Sequence, residues 1–466
     1  MKPDIRIGYS LLDGSKNMTR STDTTAAGTL DPSFAEGGIL SLPTPEFAEF
    51  YVQAVLPLAG NQLLLGMRVL GAHEPIGVAK LKEDGSVDWE FGEAGTGLVE
   101  FSIKGHRLYV DQLCALNDGG WLVIGTYQTE GFGGRYVLRY FQDGQLDGSF
   151  GENGLRLLPF KDGHKGVEKT LRISGWGDGR YPVLGPRDPG RQGTAAVQQL
   201  DGKIVLLSHR YLEFGPAQRI VLRLNPDGSM DKTFNGAGFA VIELNNIAYD
   251  DLTADAVAVQ ADGKVIVSGS YFKASPASRG AYVTRLDSMG RLDSDFNGGV
   301  VTVPHANSIF VRDIAVKEAD GRILVAGNAR NNQAMNGILF VLTSGGFFDF
   351  NFNRGQPLFS MPLAQGQSWK CCTFQADGSI LVAGTTGAGF VMEGTFALTA
   401  RFLPDGSLDP TFNGVGFVTF DEKNQYESVE TMAVMVDGRI VVGGFGWLDG
   451  PDWAYIGRGW IVRYLV

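Results

Sequence analysis

The first residues with a chemical look lie in "LPDGSLDPTFNGVGFVTF", residues 403–420, where Asp405, Asp409 and Asn413 set oxygen donors four residues apart. Two carboxylates and an amide in a glycine-rich turn are the donor types of a calcium loop. Such loops space their donors by two and finish on a glutamate, and that order is absent here. The five histidines, His73, His106, His164, His209 and His305, stand no closer than 33 residues apart, so none forms a sequence-local metal pair. HExxH and GxSxG do not occur, and "GWGDGRYPVLG" lacks the Lys-Ser/Thr and helix of a phosphate loop. Cys371 and Cys372 are adjacent in an alternating run, where neighbouring side chains point to opposite faces, so packing is their expected role. An acid–base site would have to draw on the acid pairs Asp250–Asp251 and Asp421–Glu422. No catalytic residue, metal or cofactor is assigned.

Residues suited to binding are easier to find. Trp176, Arg180, Tyr211, Trp447, Asp449 and Trp453 are aromatic and charged residues in segments read as irregular loops. Such residues dominate binding energy at protein and sugar interfaces.

The elements that would carry these loops repeat. "LDPSFAEGG" at Leu30 recurs as "VDWEFGEAG", "LDGSFGENG", "MDKTFNGAG", "LDSDFNGGV", "FDFNFNRGQ" and "LDPTFNGVG". The anchors Phe34, Phe91, Phe150, Phe234, Phe296, Phe352 and Phe412 are spaced 56 to 62 apart, apart from one gap of 84. A period of this length marks a repeat architecture. Within each copy an alternating strand meets Asp-Gly and a second strand follows, as in "AVQADGKVIVSG", the signature of a hairpin with a type I′ turn. A third strand carries a basic residue, Lys80, Arg139, Arg223, Arg285, Arg401 or Arg463, and precedes the Phe motif; Val341 breaks that series. Each Arg is expected to pack its stem between units and to pair with the motif Asp.

This grammar resembles the delta-60 repeat family of bacterial proteins, over residues 30–466. The resemblance implies a β-propeller-like fold and no settled activity. Four short strands per unit and seven copies predict an all-β, seven-bladed β-propeller. The chain starts its repeats with a fourth strand, "GGILSLP", and ends on the first three, so a 3+1 pairing of N-terminal strand with C-terminal blade would close the ring. Residues 1–29 read as a flexible tail, 30–466 as one propeller, and about 161–193 as an insertion.

The 466 residues include 65 Gly and carry a net charge of −11, which disfavours nucleic acid and anionic membrane as partners. No secretory leader or membrane-spanning run is visible, which leaves the compartment unknown, cytoplasmic or reached by a non-classical route. The Asp-Gly turns and Phe motifs form one face and vary little; the other connections form a variable face. The reading is a non-catalytic scaffold that binds a protein or glycan on the variable face. The alternatives are a lyase or hydrolase with a pocket at the central channel, and a structural component of a larger bacterial assembly.

Overall fold

The computed structural model describes residues 26–44, 46–47, 50–69, 75–92, 95–128, 133–159, 195–210, 218–275, 277–304, 308–331, 334–360, 362–363, 365–387, 395–422, 425–448 and 455–466. These form an all-β propeller; their helical content is confined to short 3-10 turns such as Ala59–Asn61. Among the described residues the strands group into five four-stranded sheets and one of nine. The nine-stranded sheet is two antiparallel sets held together by a single parallel bridge, Arg279 to Ser308.

The first strands of the successive sets are Phe50–Pro57, Arg107–Ala115, Ala196–Gln198, Ala256–Val259, Ser308–Val316, Gln367–Phe374 and Tyr426–Val434. Each touches the next in this order, and Tyr426–Val434 touches Phe50–Pro57. Side chains staple neighbouring members of this set. Gln53 Oε1 accepts from Val110 N at 3.0 Å, Asp313 Oδ2 from Cys372 N at 2.9 Å, and Thr431 Oγ1 from Val55 N at 3.2 Å. These bonds satisfy inner-edge amides that no further strand covers. The N-terminal strand Ile39–Leu42 pairs antiparallel with Tyr455–Tyr464, Ile39 opposite Val462 and Leu42 opposite Gly459.

Aliphatic side chains fill the spaces between sheets in separate clusters, one example uniting Leu324, Trp369, Val382 and Phe402. Cys372 belongs to that cluster and Cys371 packs on the next one, as strand alternation requires.

Three expectations change. The Asp-Gly hairpins are not type I′, because only the Gly has positive φ, as at Gly263 (φ 80). The preceding Asp stays in ordinary backbone space and accepts the amide two residues on, as Asp377 does from Ser379 N at 2.8 Å. This is a type I turn followed by a left-handed Gly. Second, connections read as long variable loops are largely ladder. Val265–Lys273 pairs with Ser278–Leu286, and Ile323–Asn331 with Ala334–Leu342, so few residues remain between them. Third, the bounds read for the N-terminal tail take in residues that are hydrogen-bonded to the rest of the chain. Gly28 N donates to the Leu465 carbonyl at 2.8 Å and Asn413 N to the Ala27 carbonyl at 2.7 Å, fixing these residues to the propeller.

Candidate functional site

The repeated residues settle into one seam beneath the turns. Arg223 Nε meets Asp231 Oδ2 at 2.7 Å, Nη1 donates to the Ser288 carbonyl of the following set at 2.7 Å, and the guanidinium lies 4.6 Å from the Phe234 ring centre. Arg285 repeats this with Asp293 at 3.0 Å, the Ser344 carbonyl at 2.5 Å and Phe296 at 4.8 Å. Arg463 does the same with Asp31 at 2.8 Å, the Glu83 carbonyl and Phe34 at 4.5 Å. Arg139 and Arg401 pair with Asp147 at 3.1 Å and Asp409 at 2.8 Å, and Lys80 with Asp88 at 3.1 Å. Phe91, Phe150, Phe234, Phe296, Phe352 and Phe412 are all buried. The seam is a repeated ion pair covered by an aromatic ring. Burial opposes ionisation of Asp31, but bonds from Ser33 and Arg439 bring it down to about 2.

The calcium-like stretch dissolves into the same seam. Asp405 Oδ1 accepts from Ser407 Oγ at 2.6 Å, Asp409 is the Arg401 partner, and Asn413 Nδ2 donates to the Phe417 carbonyl at 3.0 Å. Each donor is already committed to the protein.

Of the residues proposed for binding, Trp176, Arg180, Tyr211, Asp449 and Trp453 lie outside the described residues, as does the 161–193 insertion. Trp447 is described, and it is not on an exposed loop. It sits in strand Ile440–Leu448, 6% exposed, with Phe445 edge-on at 5.5 Å. The ladder with Tyr455–Tyr464 extends past it, and that extension removes it from the surface. The acids do not form one site either. Asp250 accepts from Ala274 N, and Asp251 lies exposed 4.0 Å from Arg219, while Asp421 and Glu422 stand in another sheet's connection beside Glu427. Burial, aided by those two acids, lifts Glu427 to about 7 against bonds from Glu422 N and Trp460 Nε1.

A second group of polar residues was not foreseen. Five inner strands carry a β-bulge at one level, and the residue skipped by the ladder is Gln53, Asp111, Arg312, Lys370 or Glu430. A glycine on the second strand explains several of these bulges. A Cβ on Gly125, Gly327, Gly384 or Gly444 would stand about 2 Å from a carbonyl oxygen of the inner strand, so only Gly lets the strands approach there.

Around the bulges, which lie midway along these strands, polar side chains from neighbouring sheets meet. Lys370 Nζ lies 2.8 Å from Glu430 Oε2, and Ser428 donates to Glu430 Oε1 at 3.2 Å. Arg68 Nη1 donates to Tyr51 Oη at 3.2 Å, and its guanidinium covers the Tyr109 ring at 4.0 Å. Asp111 Oδ2 takes bonds from Arg135 at 2.8 Å and Thr126 at 2.7 Å. Asn328 Oδ1 accepts from Arg312 at 3.3 Å and Ser368 at 3.1 Å. Gln53, Arg68, Asn328, Lys370 and Glu430 are buried. Burial raises the Tyr51 phenol, and the Arg68 charge and hydrogen bond pull it partly back. Such an arc can grip hydroxyls, amides and carboxylates of a polar ligand, and the Tyr51–Arg68 contact joins a phenolic proton to a fixed cation.

Four segments, residues 116–150, 199–234, 260–296 and 375–412, match the family described as "Domain of unknown function (DUF5122) beta-propeller". The repeat is thus a β-propeller repeat. No curated protein matches the sequence. Among solved structures the chain is similar in shape to an ulvan lyase bound to -[GlcA(1-4)Rha3S]-, with 11% identity, 92% of this chain and 96% of that one covered, and a TM-score of 0.47. It also resembles the β-propeller domain of the Trilobed protease from Pyrococcus furiosus (10% identity, 86% and 93% covered, TM-score 0.39). A third likeness is to the Hadza microbial sialidase Hz136 (13%, 86% and 73%, 0.39). At these identities the chemistry named for those proteins is theirs alone.

Proposed function

We propose that this chain is a seven-bladed propeller, closed by a 3+1 blade, that binds a polar protein or glycan ligand without transforming it. The blade count rests on reading the nine-stranded sheet as two blades touching at one bridge. Closure is supported by the Ile39–Leu42 pairing and by the seam, whose links run in a cycle. Each motif Phe lies against a positive-φ Gly of the next unit's turn: Phe34 against Gly85, Phe91 against Gly144, and so on to Phe412 against Gly28, ahead of Phe34.

The binding reading is carried by one observation, the bulge position. The seam repeats its residues because the fold needs them, whereas the bulge holds a different polar residue in each of five units. Burying a charge costs free energy unless it is paired, and an aliphatic residue would serve packing equally well. Lodging the buried Lys370 and Glu430, with the half-buried Asp111 and Arg312, midway along the inner strands fits a ligand site there. The test is a screen of the whole chain against immobilised glycans and peptides, repeated with Lys370→Met/Glu430→Leu. Hits on the parent that vanish from the double variant support the reading; identical patterns refute it.

A second reading, an enzyme at the channel, is favoured by the Tyr51–Arg68 contact alone. A parent that turns over a captured ligand while Tyr51→Phe binds it without turnover would replace the first reading with this one.

A further inference from the structure

Every motif aspartate has a cation no farther than 3.1 Å away, and Glu430 has Lys370 at 2.8 Å. Glu427 is buried as deeply, 2% exposed, yet among the described residues no cation lies within ion-pair distance of it. Its carboxyl meets neutral donors instead. Oε1 accepts from Glu422 N at 3.0 Å, in the connection from the preceding unit, and Oε2 accepts from Trp460 Nε1, in the strand Tyr455–Tyr464. Its own amide donates to the Thr395 carbonyl of the preceding unit at 3.1 Å. One residue thereby ties the start of strand Tyr426–Val434 to three other segments.

The charges on the elements packed against Glu427 do not favour its ionisation. Asp421 and Glu422 stand in the connection, and Glu430 stands in the same strand. The cations nearby are engaged elsewhere: Arg458 reaches Glu422 Oε1 at 3.7 Å from an exposed side chain, and Lys370 is held by Glu430. Two of the residues bonded to Glu427 also hold a buried oxygen with no hydrogen-bond partner, Glu422 Oε2 and Thr395 Oγ1. A buried acceptor without a donor is costly, and a proton on Glu427 is a donor at the right place. A buried carboxylate with no cation prefers water, whereas the neutral acid keeps its carbonyl for an N–H and offers its proton to an acceptor.

We propose that Glu427 is a proton-operated catch: as the neutral acid it holds the start of its strand to Glu422, Trp460 and Thr395, and as the carboxylate it lets those contacts open to water. The direction follows from linkage. Opening returns the carboxyl to its ordinary acidity, so the catch is shut at low pH and loosens as pH rises through about 7, the value to which burial and then the acids Glu422 and Asp421 lift it. Glu430 lies three residues further along the same strand and is bonded by Ser428, so the catch sets one side of the polar arc. That control of the arc rests on the binding reading above; the catch itself does not.

The experiment follows the indole N–H signals of the whole chain, labelled with 15N-tryptophan, from about pH 5 to 8.5, with Trp460 assigned by its loss from Trp460→Phe. The expected result is a Trp460 signal that titrates with a midpoint within about one unit of 7 and stays level in Glu427→Gln. Deuterium uptake at Glu422 and Glu427 supplies a readout that needs no tryptophan variant. Taken as the ratio of parent to Glu427→Gln, which cancels the intrinsic pH dependence of exchange, it should rise about tenfold or more between pH 5 and 7.5. Glutamine has nearly the shape of the neutral acid, and a cooperative circular dichroism melt establishes that the variant is folded. A level Trp460 signal with a level uptake ratio overturns the catch, and so does a ratio that falls as pH rises. Repeating the glycan and peptide arrays at pH 5.5 and 8 separates the two readings. Capture that changes with pH in the parent and not in Glu427→Gln supports control of the arc, and capture equal at both values removes it. Arrays without hits count against the binding reading and leave the titration to decide the catch.

Discussion

In the seam under the turns, Arg223, Arg285 and Arg463 meet the same three partners in the same order. In the bulges of the inner strands, Asp111, Lys370 and Glu430 share only a position, and each has its own partners. The two regions lie on the same blades and differ in what fixes their residues. The seam joins each unit to the next, so most copies reach one solution, and where Val341 leaves the strand without a cation Arg322 pairs with the motif Asp349 at 3.1 Å. The bulge residue is skipped by the ladder and has no neighbour that the repeat dictates. The contrast separates side chains that recur with the repeat from side chains that differ from unit to unit.

The largest expected effect lies in the seam. Phe34→Ala and Phe234→Ala should each lower stability by about 3–5 kcal/mol, the cost of emptying a fully buried aromatic site. If the ring closes through residues 26–42, the two variants lose similar amounts in denaturant melts. A Phe34→Ala protein that melts like the parent would leave the closing seam without a structural role.

That seam was legible in the sequence because it repeats: the Phe spacing, the strand Arg and the motif Asp each recur often enough to be read as one device. The calcium-like spacing of Asp405, Asp409 and Asn413 looked chemical only while a single copy was considered. The bulges were harder to read. Their signal was present as a glycine recurring inside the second strand, at Gly125, Gly327, Gly384 and Gly444, and an isolated strand Gly suggests a bulge. The residues brought together there lie in different units, and no local pattern joins Lys370 to Glu430 or Arg68 to Tyr109. Trp447 misled for a related reason. Glycines on both sides of it resemble a loop, yet they serve a close ladder in which a Cβ on Gly446 would strike Gln425.

A middle-sized effect probes the bulge itself. Gly384→Ala would set a Cβ 1.9 Å from the Ser368 carbonyl, and should cost about 2 kcal/mol or more as the inner strand moves away. Stability equal to the parent would show that the bulge does not depend on that glycine.

Glu427 tests the acids in the same strand as Glu430. Its folded pKa is raised from the usual 4.5 to about 7, so the favourable contribution of the neutral acid is complete below 4.5 and is lost as pH rises through 7. Glu427→Gln has no proton to lose there. Its melting temperature relative to the parent should rise between those two values and stay level on either side. Parallel curves across the range would contradict the burial of this carboxyl.

The smallest effect on stability belongs to Lys370→Met/Glu430→Leu, because exchanging a buried ion pair for apolar residues of similar size is commonly neutral or mildly stabilising, within about 1 kcal/mol of the parent or above it. A large loss would move the pair from the functional class to the structural one and erase the contrast with the seam.

The most direct test of the central claim is a titration. A ligand captured by the parent on glycan or peptide arrays would be measured by calorimetry against the parent and Lys370→Met/Glu430→Leu. The polar arc predicts that the variant loses about tenfold or more in affinity while melting like the parent. Equal affinity in the two proteins would contradict it.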